Sequence, residues 1–392
     1  VCPPSRTGGA RRRLIIVSGY GNNDLTPRGQ RTKRLVEALG DWDVDLIAMR
    51  DKPSSARPGG TSPRRAAFRR RLGALLYRVL FDRWEPWSLR NLRGWRPDAD
   101  GALLIASPWS PVIYASRRLV KAGIPYAVDA GDPWVLTRDV KMPAPPPRRA
   151  RRAERFLWEH AVGAVVTTRA QFERLHALFP ELPIMIRPNG YKPVQSRGPA
   201  IRPRPRDDSQ LRIAHFGILS AGRIDPVPFL ADLQRSGRWR SIVFSQFGDD
   251  FGVGLDRVPD GVMVEHHSPL PWDAVIERAP EFDAALVVAY PLPALLPSKA
   301  VEYSTLPLPR IALTNPDPDD ALREHARDRA GWLALSNGEP EIGSRVWEHI
   351  ERSWSAAELA PAKEDAWPAV AAQIAEFVTS RVDGASVVPA AL

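Results

Sequence analysis

Short apolar runs rich in Val, Ile, Leu and Ala recur along the chain at residues 14–17, 44–49, 101–106, 126–129 and 161–168, and again at 211–217, 241–245, 262–265, 282–288, 310–313 and 332–335. Their length and β-branched content are those of strands buried on both faces. Between them, apolar residues at helical spacing predict helices over about 26–39, 64–80, 108–122, 148–158, 169–178, 271–278, 317–329, 340–355 and 367–381. Pro27 suits the first turn of the first of these. Strand and helix alternate through both halves, and the pattern breaks once, at a Pro/Arg/Asp-rich stretch near residues 191–210. The chain therefore reads as α/β, with two Rossmann-like domains. The division is a poorly ordered segment over 1–13, a domain over 14–190, a linker over 191–210, a second domain over 211–366, and a terminal helix over 367–392.

The stretch Leu296-Pro297-Ser298-Lys299-Ala300-Val301-Glu302-Tyr303 carries the sharpest chemistry. A strand ends, the chain turns at Pro297, and Ser298 is placed to cap a short helix. Free amides at a helix start, with Lys299 beside them, suit a phosphate. Glu302, one turn further, is spaced to bind a ribose diol. An ordinary βαβ crossover whose Lys and Glu face solvent is the plainer reading of the same residues.

Pro-Ser-Lys-x-x-Glu-Tyr followed by proline and a strand resembles the donor-site segment of family-4-like glycosyltransferases of the GT-B fold. Ser304-Thr305-Leu306 replaces the glycine usual before the next proline, and Ala289-Tyr290-Pro291-Leu292 lacks the upstream Glu of the better-known branch, so the resemblance is to a divergent branch. Two further segments are similar to the family. Pro188-Asn189-Gly190 matches its exit from the first domain, a turn where Gly190 is free to take positive φ. Gly217-Ile218-Leu219-Ser220-Ala221-Gly222-Arg223 matches its glycine loop, with His215 just before it. The resemblance implies two domains facing a central cleft, with an acceptor on the first and a nucleoside-diphosphate sugar on the second. Arg223 and Lys299 would converge on the diphosphate, Arg223 bidentately, with loop amides approaching it. Such enzymes usually retain anomeric configuration and need no metal or other cofactor. An epimerase of the same fold is a further alternative, but the acidic and His pattern it needs is absent.

In the first half, Ser18-Gly19-Tyr20-Gly21 turns from strand to helix without a full dinucleotide fingerprint. The resemblance makes Gly19 and Gly21 candidates near the donor phosphates; a tight turn that needs glycine accounts for them equally. Asp132, in Asp129-Ala130-Gly131-Asp132-Pro133-Trp134, stands at a strand end. There a carboxylate can orient an acceptor hydroxyl or act as base, or simply cap the loop. His266-His267 invite a metal, but neighbours on a strand point to opposite sides and no carboxylate cluster accompanies them, so none is assigned.

Composition narrows the classes. With 392 residues, 44% hydrophobic and 26% charged, the chain has the make-up of a soluble globular protein. Its single Cys, Cys2, excludes an internal disulfide framework. That suits a reducing, cytoplasmic setting. No apolar run approaches the roughly 18 residues of a membrane span, and no signal-peptide pattern opens the sequence. The net charge of +10 is uneven: residues 1–190 hold 34 Lys+Arg against 17 Asp+Glu, leaving 21 against 28 for the remainder. An anionic partner of the first half, a membrane surface above all, is one explanation; the arginine bias of a GC-rich genome is the other, since only seven of the 55 basic residues are Lys. The basic amphipathic helix over 64–80 either lies at such a membrane or packs its apolar face on the domain. A non-catalytic membrane- or nucleic-acid-binding scaffold is the alternative to an enzyme; for the enzyme, no nucleic acid is expected.

Overall fold

A computed structural model of the chain describes residues 11–19, 21, 26–48, 92, 94–106, 109–134, 148–193, 209–220, 223–327, 329–352 and 354–385. The expected helix over 64–80, the segment 1–10 and most of the linker lie outside the described residues. The chain divides into two compact units: Val1–Thr167 with Gln171–Arg187 and Pro368–Leu392, and Thr168–Ala170 with Pro188–Trp367.

The first unit is a six-stranded parallel sheet of β1 (Arg13–Ser18), β2 (Asp43–Ala48), β3 (Gly101–Ile105), β4 (Tyr126–Ala130), β5 (Gly163–Val166) and β6 (Ile184–Ile186), in the order β2-β1-β3-β4-β5-β6. Successive crossovers from β3 to β6 run in one direction, so right-handedness puts their helices on one face. Accordingly Val112 and Leu119 of helix Trp109–Ala122, Leu157 and Trp158 of helix Arg148–Glu159, and Leu175 of helix Arg169–Leu178 share one core with Ile15, Val17 and Leu104. Helix Pro27–Ala38 follows β1 and opens on Thr26, whose hydroxyl accepts from the Gly29 amide at 3.0 Å.

Glycines let the terminal helix Trp367–Ala385 cross the N-terminal ends of these strands. A Cβ on Gly101, the first residue of β3, would stand 2.3 Å from Val382, and one on Gly163, the first of β5, 3.0 Å from Arg381. Among the described residues no helix is long and apolar enough to cross a membrane.

The second unit repeats the plan with β7 (Gln210–Phe216), β9 (Ser241–Phe247), β11 (Val262–His267), β12 (Ala284–Val288), β13 (Arg310–Leu313) and β14 (Trp332–Leu335), ordered β11-β9-β7-β12-β13-β14 and all parallel. Both faces are covered, which is why its strands read as solid apolar runs. In β12, Ala284, Leu286 and Val288 face one core, and Ala285 and Val287 face the other.

Several elements differ from expectation. Helix Val227–Arg235 and the small pair β8 (Leu219–Ser220) with β10 (Asp250–Phe251) were not foreseen. The helix expected from residue 317 begins at Ala321, because the Asp320 carboxylate accepts from the amides of Leu322 and Arg323 and fixes the start there. Gly190 is not among the positive-φ glycines. It is needed for a close approach instead: a Cβ there would lie 2.8 Å from the Trp367 backbone, where Tyr191 and Ala366 form a bridge.

Candidate active site

In an open parallel sheet the strand order reverses beside the first strand, and the crevice at the C-terminal ends there is where ligands bind. In the second unit that point lies between β7 and β12. Four sequence candidates lie around it: His215 near the end of β7, Gly217 immediately after it, Arg223 beyond β8, and Lys299 on the helix that follows β12.

Gly217 has φ +135°, outside the range of L side chains, and Gly248 (φ +119°) packs so close that a Cβ would stand 2.7 Å from the Gly217 carbonyl. The stem of Lys299 lies over this turn, its Cε 3.4 Å from where a Gly217 Cβ would be. Two of the loop's amides are used within the protein: Gly217 donates to the Phe247 carbonyl at 2.8 Å and Leu219 to that of Asp249 at 2.9 Å. The ladder continues past the strand end, and these amides complete it. Ala221 and Gly222 lie outside the described residues.

Arg223 donates through Nη1 to the Val288 carbonyl (2.9 Å) and through Nη2 to the Tyr290 hydroxyl (3.1 Å), with its guanidinium 3.9 Å over the Tyr290 ring. Each terminal nitrogen thus commits one hydrogen to protein and keeps a second N–H. Burial lowers the pKa of this guanidinium from its ordinary value, with Tyr290 and Tyr303 opposing. Tyr290 is itself held, its carbonyl accepting from Asn315 Nδ2 at 2.7 Å.

Lys299 Nζ donates to Glu302 at 2.7 Å and stands 5.1 Å from the centre of the Trp272 ring. Glu302 therefore pairs with the neighbouring cation one turn away, where the ribose role had been expected. Ser298 is not the cap. The helix Ser298–Tyr303 starts from Pro297, with no side-chain cap bond. Six residues add little macrodipole, so the attraction for an anion here rests on Lys299 and Arg223. Both cations act on His215, whose ring hydrogen-bonds Gln246 at 2.9 Å. Burial above all pushes this imidazole down to about 3; the Gln246 bond opposes, and the charges of Arg223 and Lys299 add to the fall. His215 is neutral at physiological pH.

Tyr303, whose function the motif alone left open, closes the arrangement. Its buried hydroxyl accepts from the Phe216 amide at 2.5 Å and donates to the Phe216 carbonyl at 3.0 Å. It ties the Lys299 helix to the end of β7. Tyr303→Phe is expected to cost about 1–3 kcal/mol of unfolding free energy by orphaning the Phe216 groups. Urea unfolding measures it, and a loss below about 0.5 kcal/mol would contradict the tie.

The remaining candidates lie elsewhere. Asn189 is part of the turn after β6 that begins the second unit's main segment. Gly19 follows β1 in the first unit; Gly21 has φ +65°, with Ala48 3.4 Å from a would-be Cβ. Asp132, also in the first unit, is half exposed and accepts an ion pair from Arg28 at 3.0 Å. The sequence reading missed this partner, and with it the buried pair Arg31–Asp129: Nε to Oδ2 at 2.6 Å, Nη2 to Oδ1 at 3.0 Å, both side chains fully buried. The signal available was spacing. Arg28 and Arg31 are three apart on one helix, as are Asp129 and Asp132 at one strand end. Gly131 makes room for Arg28, since a Cβ there would fall 1.9 Å from the guanidinium.

His266 and His267 lie on β11, the latter stacked on Phe247 at 4.4 Å. Among the described residues no group of three or more His, Cys, Asp or Glu is placed to hold a metal. A cavity of about 490 Å³ lies in the second unit past β13 and β14, lined by residues such as Arg323, Arg327 and Glu339; none of its lining is a sequence candidate.

No protein-family model and no curated protein matches the chain. Solved structures do. Sucrose-phosphate synthase from Thermosynechococcus elongatus is 13% identical with a TM-score of 0.57, over 95% of this chain and all of that one. The glycotransferase of kitacinnamycin is 12% identical with a TM-score of 0.50, over 95% of this chain and 100% of that one. A protein described as a UDP-N-acetylglucosamine 2-epimerase from Listeria monocytogenes is 12% identical with a TM-score of 0.49, over 97% and 99%. At such identities the likeness establishes the fold alone. Two doubly wound α/β units and these likenesses give the chain the GT-B fold.

Proposed function

We propose that the chain is a glycosyltransferase that holds a nucleoside-diphosphate sugar on its second unit and passes the sugar to an acceptor hydroxyl. The observation that carries this reading is the meeting of two cations from separate segments at the strand-order switch. Lys299 stands on the helix after β12, its stem over the Gly217 turn, and Arg223 follows β8 and is bonded at the end of β12. An anion there gains charge-assisted hydrogen bonds from both. A leaving diphosphate develops charge as the glycosidic bond breaks, and fixed cations offset it without a metal ion. Binding asks Lys299 to exchange Glu302 for phosphate, freeing Glu302 for the ribose. In the first unit Asp132, aligned by Arg28, takes the acceptor hydroxyl. Retention of configuration is carried by the sequence resemblance.

The test is a thermal-shift screen against UDP, GDP, ADP, CMP and dTDP. One nucleotide is expected to stabilise the protein. Lys299→Ala and Arg223→Ala are each expected to weaken it about 10- to 100-fold, the worth of a charge-assisted bond. With the matching nucleotide-sugar, the anomer of the transferred sugar, read by NMR, decides retention. No stabilisation by any nucleotide would remove the proposal.

A further inference from the structure

We propose that one helical face of the first unit docks on an anionic lipid bilayer. Helix Arg148–Glu159 exposes Arg148, Arg149, Arg151, Arg152 and Arg155, while Ala150, Ala153, Leu157 and Trp158 face the core. Only Arg155 has an acidic partner, Glu159 at 3.7 Å; among the described residues no carboxylate pairs with the other four. The helix is about 18 Å long, so its charge is dense.

The neighbouring helix Trp109–Ala122 packs against it, with Trp109 and Trp158 in edge contact at 6.2 Å. It adds exposed Arg117 and Lys121. The two helices share one core and one side of the sheet, so their outer positions form a single broad basic surface. The residues beneath are mostly apolar, with the buried Glu154, Ser110 and Ser116 among them. Arg155 lies 5.9 Å from the ring of Phe179; for Arg148, Arg149, Arg151 and Arg152, Lys, Gln or Glu at the same exposed positions would serve the core equally.

The chemistry of the face favours a bilayer. An anionic leaflet needs only basic groups spread over a broad surface, each adding to the attraction. Single-stranded nucleic acid is gripped by stacking bases on exposed rings, and no aromatic residue stands at an exposed position of either helix. Duplex reading calls for an element entering a groove, whereas these helices lie side by side. The surface is independent of the candidate donor site.

Vesicle co-sedimentation of the full chain tests the proposal, using phosphatidylcholine with and without phosphatidylglycerol. Binding is expected only with phosphatidylglycerol, and is expected to be lost near about 0.5 M NaCl, where screening is short-ranged. The combined variant Arg148→Gln, Arg149→Gln, Arg151→Gln, Arg152→Gln is expected to lower partitioning at least about tenfold, because Gln keeps the helix while removing charge. The same four positions changed to Lys are expected to keep binding, which separates charge from structure. Circular dichroism identical to that of the parent establishes that both variants are folded. Wild-type protein that ignores phosphatidylglycerol, a Gln variant that binds like the parent, or a preference for RNA or duplex DNA over vesicles would each overturn it.

Discussion

Replacing Arg31 by methionine is expected to destabilise the first unit by about 3–5 kcal/mol, the cost of leaving one member of a buried ion pair unpartnered. Arg31 and Asp129 are both fully buried and joined by two hydrogen bonds, at 2.6 and 3.0 Å. Arg31 also donates to the Arg187 carbonyl at 3.1 Å, so the guanidinium ties helix Pro27–Ala38, the end of β4 and the segment after β6 together. With Arg31 gone, the Asp129 carboxylate must ionise without a partner or take up a proton. The pair itself contributes far less than its breaking costs, because both charges were stripped of water to form it. The double change Arg31→Met with Asp129→Leu is therefore expected to recover much of the loss. Urea unfolding of the parent, both single variants and the double measures this. A single-variant loss below about 1 kcal/mol, or a double variant no better than the singles, would show that the charges are not confined as described.

Between pH 6.5 and 5 the second unit is expected to weaken markedly. Burial pushes His215 and His325 down to about 3, and His349 to about 4. In the unfolded chain the same imidazoles take up a proton near 6.5. Below that value the unfolded state binds protons that the folded state refuses, so stability falls as pH falls. Above about pH 6.5 both states are neutral and the effect vanishes. At pH 5 the three groups together would remove about 6 kcal/mol at most, at about 1.4 kcal/mol per pH unit each. Ordinary carboxylates titrate below this window. Asp320, whose pKa burial raises, opposes the fall wherever it titrates within it, so denaturation at pH 7 and pH 5 is repeated on Asp320→Asn to separate the histidines. Equal stabilities, within about 1 kcal/mol, would mean that these rings reach water.

Much of the fold was legible in the sequence because both sheets are covered on both faces. A strand such as Ala284–Val288 cannot alternate when each side meets a core, so it reads as an unbroken apolar run. Helix Val227–Arg235 was hidden by two prolines around its start and by its brevity. The candidate site was legible as residue types. Arg223, Lys299 and Gly217 were singled out by motif and do come together; the partners each residue takes were not in the motif. Ser298 has the chemistry of a cap, but the backbone placed Pro297 in that position. Glu302 has the chemistry of a ribose ligand, and here it pairs with Lys299 three residues away, a partner the motif does not show. Gly190 resembled a positive-φ turn, yet its missing side chain makes room for Trp367.

By itself, then, the sequence determined the strand–helix alternation, the presence of two α/β units and the cations available for an anion. Local spacing and burial periodicity encode these directly. The tertiary structure alone decided which loops meet at the β7–β12 switch and that Tyr303 fastens the Lys299 helix to Phe216. It also set Arg28 and Arg31 against Asp132 and Asp129. Those pairings span tens of residues of chain or more. Distance in space between such groups is fixed by sheet order and crossover hand, which no short window of sequence contains.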